Sequence, residues 1–94
     1  MAKPTGNDKT AVLCFITDHQ GALYELLKPM ADAGINLTRI ESRPSQRRAW
    51  EYVFFIDMLG HIDDPTIREA LDKLAKPCNE LKILGSFPHG ELED

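Results

Sequence analysis

The chain has 94 residues, with 11 Lys and Arg against 15 Asp and Glu for a formal charge of −4. That length fits one small domain whose modest core gains from a partner surface. The acidic balance speaks against nucleic acid, and no apolar run of about 18 residues is present to span a membrane.

Residues 1–8 are polar, with Pro4 and Gly6, and read as a tail or linker. No signal-peptide core lies there, so a cytoplasmic chain is expected. Lys9 to Thr17 is β-branched and apolar without a helical stripe and predicts a buried strand. Cys14 within it reads as a core thiol. Its distance in sequence from Cys78 argues against a disulfide framework or a zinc motif. Asp18-His19-Gln20-Gly21 is a strand-to-helix turn. Leu23, Leu26, Leu27, Met30 and Ala31 follow at helical spacing, with Glu25 and Lys28 facing away. Pro29 predicts a kink in this helix, and Gly34 its left-handed closing residue.

Ile35 to Ser42 predicts a second strand, and Pro44 to Ala49 a basic, solvated hairpin loop. Trp50 to Leu59 is the strongest strand pattern. Tyr52, Phe54, Ile56 and Met58 share one face, and Val53, Phe55 and Leu59 the other. Both faces are apolar, so one is expected under helices and the other against a partner or neighbouring domain. Asp64-Pro65 is a helix start, with Ile67, Ala70, Leu71, Leu74 and Ala75 as the buried stripe and Pro77 beyond its end. Leu81 to Phe87 predicts a last strand, and Pro88 to Asp94 reads as an acidic tail. The order βαββαβ predicts an α+β, ferredoxin-like fold: a four-stranded antiparallel sheet with two helices on one face.

His19, His61 and His89 have no nucleophile at a recognisable motif and read as loop histidines. His61-Ile62-Asp63-Asp64 is the one local cluster of metal-ligand type, and Asp64 there reads as a helix cap. Neither phosphate-binding glycine pattern occurs. Arg43, Arg47 and Arg48 with Trp50 lack the aromatic strand of an RNA-recognition module. The segment around Gly21 is different. A helix N-terminus offers free amides and partial positive charge, Gly21 permits close backbone approach, and the amides near Ala22 and Leu23 suit a carboxylate. Asn36 suits an ammonium or carboxylate, near a subunit seam, and Leu23 and Leu37 suit an apolar side chain. On the residues alone, an amino-acid pocket and an ordinary strand–turn–helix both stand.

Several stretches resemble one family in order and spacing across residues 6–88. They are Gly6 to Thr10, Gly21-Ala22-Leu23, Ile35-Asn36-Leu37-Thr38, Glu41-Ser42-Arg43-Pro44, Trp50-Glu51-Tyr52, Gly60 to Pro65 and Leu84 to Pro88. The chain is similar to ACT domains, and more narrowly to the C-terminal regulatory domain of prephenate dehydratase, an enzyme found alone or fused to chorismate mutase. The resemblance implies an ACT domain over 9–88, between the linker over 1–8 and an acidic tail over 89–94. It implies feedback sensing of L-phenylalanine without a cofactor. Gly21, Ala22, Leu23, Asn36, Leu37 and Thr38 are the ligand-site candidates. Glu41, Ser42, Arg43 and Pro44 form a segment needed for binding or for transmitting it.

The resemblance further implies homodimers whose sheets join side by side with ligand at the seam, attached to a prephenate dehydratase catalytic domain in a longer chain. Thr38-Arg39-Ile40 superficially matches that domain's T-R-F motif, but in the wrong context, so these residues alone are not expected to be an enzyme. Gln20 replaces the proline that often precedes the family's glycine, which loosens the turn, and Tyr24 replaces an aliphatic residue. The competing expectations are the regulatory domain of an aromatic amino acid hydroxylase, a ferredoxin-like dimerisation module without a small ligand, and an enzyme in its own right.

Overall fold

The structure, a computed structural model, describes residues 8–88. The expected tail over 89–94, with His89, and residues 1–7 of the expected linker over 1–8 lie outside the described residues, whereas Asp8 opens the first strand. Six elements follow in the expected order: β1 (Asp8–Thr17), α1 (Ala22–Asp32), β2 (Leu37–Pro44), β3 (Glu51–Leu59), α2 (Pro65–Ala75) and β4 (Glu80–Pro88). They form one antiparallel sheet of order β2-β3-β1-β4, with β2 and β4 at its edges. This is the ferredoxin-like arrangement read from the sequence.

Strand alternation decides which residues reach the core. Val12, Cys14 and Ile16 of β1 and Ile56 and Met58 of β3 pack with Leu26 and Met30 of α1 and with Ile67, Ala70, Leu71 and Leu74 of α2. Three members of the expected α1 stripe are not core: Leu23 is 46% exposed, Ala31 is also exposed and Leu27 is only half-buried, while Ala22 is buried. The helix continues through Pro29 to Asp32. Its end is closed by Gly34, whose amide reaches the Ala31 carbonyl while Ile35 reaches that of Met30, both at 3.0 Å. Asp64 caps α2, accepting from the Thr66 amide at 2.9 Å, with Pro65 in the first turn.

The start of α2 is also tied to the sheet. Ser86 accepts from the Ile62 amide at 2.9 Å and lies 2.7 Å from the Thr10 hydroxyl, which donates to the Gly60 carbonyl at 2.8 Å. Thr10 spends its proton on Gly60, so the Ser86 hydroxyl donates to Thr10 and the chain of bonds runs one way. Gly60 has φ of 124°, and an added Cβ would sit 2.6 Å from the Ile67 side chain. His61 lies in the loop before α2, as expected, but is buried there, and its Nδ1 accepts from the Asp63 amide at 3.0 Å.

The second sheet face is partly covered by the chain's own cations. The Arg47 guanidinium lies 3.7 Å from the Phe15 ring centre, Lys82 lies 5.6 Å from the same ring, and Arg43 lies 5.4 Å from that of Phe55. Arg47 therefore leaves the solvated hairpin expected for it. It binds Glu51 through Nε at 2.7 Å and Nη2 at 3.2 Å, and Glu80 through Nη1 at 2.5 Å. Asn79 adds a 2.8 Å bond to Glu51. The Arg47 pairing, with Asn79 and Ser45, holds the buried Glu51 carboxyl down at about 2. Trp50 lies in the turn before β3, not in the strand, with φ of 63°.

Candidate functional site

A cleft of about 360 Å³ opens where the start of α1 faces β3 and β2. Ile16, Tyr52 and Phe54 give it an apolar and aromatic floor, Leu23 and Tyr24 one wall, and Asp18, His19 and Gly21 its polar end; Ser42 also lines it. The parity of the strands explains this composition. Ser42 pairs with Phe54 and Pro44 with Tyr52, so these residues share the helix-side face.

The polar end is built by the turn before α1. Gly21 is the N-cap residue in the left-handed region at φ 84°, and no side chain caps the helix. Nothing lies within 4 Å of a Cβ built at Gly21, so glycine is favoured there by its backbone angle rather than by lack of space. The amide of Ala22 donates to the His19 carbonyl at 3.0 Å and that of Glu25 to the Gly21 carbonyl at 3.0 Å. Ala22 is therefore not the anion donor expected from the sequence. The Leu23 and Tyr24 amides, between the two, are the ones this terminus leaves for an acceptor.

Of the predicted residues, Gly21, Ala22, Leu23 and Ser42 come together. Asn36, Leu37 and Thr38 do not line this cleft. They lie at the far end of α1, a helix of 11 residues and so about 16 Å long. Asn36 precedes β2, with its carbonyl accepting from the Leu59 amide at 2.9 Å, and the Thr38 hydroxyl lies 3.5 Å from the Asp57 carbonyl. The Glu41–Pro44 segment is split between faces. Ser42 and Pro44 share the face of the cleft, whereas Glu41 bonds Arg39 at 2.8 Å and Arg43 covers Phe55.

Sequence reasoning passed over Tyr52 and Phe54 as site residues, because an aromatic residue on the core face of a strand reads as packing. It also set His19 aside. Its Nδ1 lies 2.8 Å from the Thr17 carbonyl and its Nε2 3.1 Å from Glu25 Oε1. The Thr17 carbonyl first, and Glu25 second, raise its pKa above the ordinary 6.5. Among the described residues no group of three or more His, Cys, Asp or Glu is arranged to hold a metal, and no helix is long and apolar enough to cross a membrane.

The family model of the ACT domain matches residues 10–76. The chain is 48% identical over 92 residues to the bifunctional chorismate mutase/prephenate dehydratase of Aquifex aeolicus (strain VF5), covering 98% of this chain and 25% of that protein. Prephenate dehydratase from Arthrobacter aurescens, solved in complex with L-Phe, matches with TM-score 0.89 and 38% identity, over 99% of this chain and 31% of that one. GqqA, described as a novel type of quorum-quenching acylase, matches with TM-score 0.84 and 34% identity, over 94% of this chain and 32% of that one. The chain spans about a quarter of the length of the bifunctional curated relatives it matches. It corresponds to the C-terminal region of the prephenate dehydratases, and the catalytic domain of those enzymes is not within these residues. A βαββαβ fold, a family match over most of its length and close relatives of one kind agree: the chain belongs to the ACT domain family.

Proposed function

We propose that this domain senses L-phenylalanine and serves feedback inhibition of a cytoplasmic prephenate dehydratase, alone or fused to chorismate mutase. The carrying observation is the cleft itself. It joins uncapped amides at the positive end of α1 to an aromatic floor, which suits an α-carboxylate and an aromatic side chain together. Its volume of about 360 Å³ falls in the range of about 300–1,000 Å³ common for small-molecule sites. The likeness to a prephenate dehydratase holding L-Phe supports the same ligand class.

The second half of the site is proposed to come from a second copy. β2 is an edge strand, and Leu23, Tyr24 and Ile40 stand exposed beside it. Directly opposed residues of an antiparallel pair must face the same side. A two-fold axis at Ile40 satisfies this, setting Ile40 against its own copy and Arg39 against Glu41 of the partner subunit. An axis at Glu41 would oppose two like charges. The Ile40 register brings Asn36–Thr38 of the partner subunit beside Ser42–Pro44, at the mouth of the cleft. The residues that one chain holds apart then meet at each of two equivalent sites along the one seam.

Ligand at these two sites favours one arrangement of the dimer and, through it, a less active state of attached catalytic domains; only differential affinity between states does this. Calorimetric titration with L-Phe, beside L-Tyr, L-Trp and D-Phe, tests the reading. Saturable binding that prefers L-Phe is expected. A folded dimer indifferent to all four overturns it in favour of a dimerisation module without a small ligand.

A further inference from the structure

The Asp18–Gly21 turn carries the polar end of the cleft, and it is held from several sides. The Asp18 amide donates to the Trp50 carbonyl at 2.6 Å, and the His19 carbonyl accepts from Ala22 at 3.0 Å. The His19 ring then spans the turn, from the Thr17 carbonyl at the end of β1 to the Glu25 carboxylate in the first turn of α1. Both partners are acceptors only. A neutral imidazole carries one N–H and serves one of them, turning a lone pair toward the other. Both contacts are satisfied only by the imidazolium. The family resemblance gives this turn a second interest, because Gln20 stands where a proline would fix the backbone.

We propose that charged His19 is a positioning residue for the amino-acid site: it staples the turn between Thr17 and Glu25, so that the domain binds its ligand more tightly when His19 is protonated. The ligand class is a zwitterionic α-amino acid, and the inference rests on the functional reading above. His19 also places positive charge at the end of the cleft where the carboxylate would lie. The charged groups that act on it are Glu25 from α1 and Asp18 from the turn, both acidic. The walls from β2 and β3 contribute Ser42, Tyr52 and Phe54, with no Asp, Glu, Lys, Arg or His among them. The Thr17 and Glu25 bonds raise the His19 pKa above 6.5. The sign follows: the staple is complete below about pH 6.5 and is lost as pH rises through the raised value.

The test is calorimetric titration with L-Phe between about pH 5.5 and 8.5, with the His19 ring protons followed by NMR over the same range. The ring and Glu25 are nearly half exposed, so the expected weakening across the range is about two- to fivefold. His19→Gln is expected to bind at the weaker limit with a flat profile, and Glu25→Gln to move the midpoint to lower pH. L-Phe affinity independent of pH, or an unchanged profile in His19→Gln, overturns the staple and leaves the functional reading standing. A His19 pKa at or below 6.5 in the free domain also overturns it, without reference to ligand. No binding of L-Phe at any pH overturns the functional reading and the staple's proposed role with it.

Discussion

Arg47 and Glu51 show how one residue pair organises an end of the sheet. Glu51 is 2% exposed, and Arg47 reaches it while stacking on Phe15 and bonding Glu80, so β1, β3 and β4 are clamped together. The Glu51 carboxyl sits at about 2 against an ordinary 4.5. A depressed carboxylate stabilises the fold above its unfolded pKa, and this stability is lost as pH falls through the folded one. The expected loss therefore runs from about pH 4.5 down to about pH 2. Arg47→Met is expected to start acid unfolding at higher pH, followed by circular dichroism, and to lower Tm at pH 7 by roughly 5–10 °C. An unchanged acid midpoint would reduce the clamp to a surface contact. The sequence hid this pair because a run of basic residues in a hairpin does not say which arginine turns back onto an aromatic face. The available signal was a glutamate opening a strand that is otherwise apolar or aromatic save for Asp57.

At the scale of elements, each helix and strand carried its own periodicity, which is why their order and the Asp64-Pro65 start of α2 were legible. What joins elements was not. The bonds from Ile62 to Ser86 to Thr10 to Gly60 link β1, β4 and the turn before α2, and their members are far apart in sequence. Thr10 and Ser86 are buried polar residues, so breaking the chain of bonds leaves groups unsatisfied away from water. Ser86→Ala removes the acceptor of the Ile62 amide and the donor to Thr10, and is expected to cost about 1–3 kcal/mol. Urea unfolding should show a lower midpoint at an unchanged m value. A midpoint shift worth under about 0.5 kcal/mol would mean that water replaces the hydroxyl.

At the scale of the whole molecule, the family resemblance named both halves of the candidate site, but only one of them forms a local pattern, for one physical reason. Gly21 to Leu23 lie on consecutive residues, so a local pattern locates them. Asn36 to Thr38 lie at the other end of α1, and no property of a single chain says that they belong to the same pocket. They rejoin it only through the proposed pairing of β2 edges. That pairing makes dimerisation and binding separable by mutation. Ile40 is 41% exposed on the edge strand, so Ile40→Asp leaves the core untouched while setting two carboxylates against each other at the axis. It is expected to give a folded monomer by sedimentation and to lose L-Phe binding with the dimer. Asn36→Ala is expected to keep the dimer and weaken binding at least several-fold, because it removes a polar partner from the ligand and nothing from the seam. If monomeric Ile40→Asp binds L-Phe as tightly as the parent, the site is complete within one chain and the seam has no part in it.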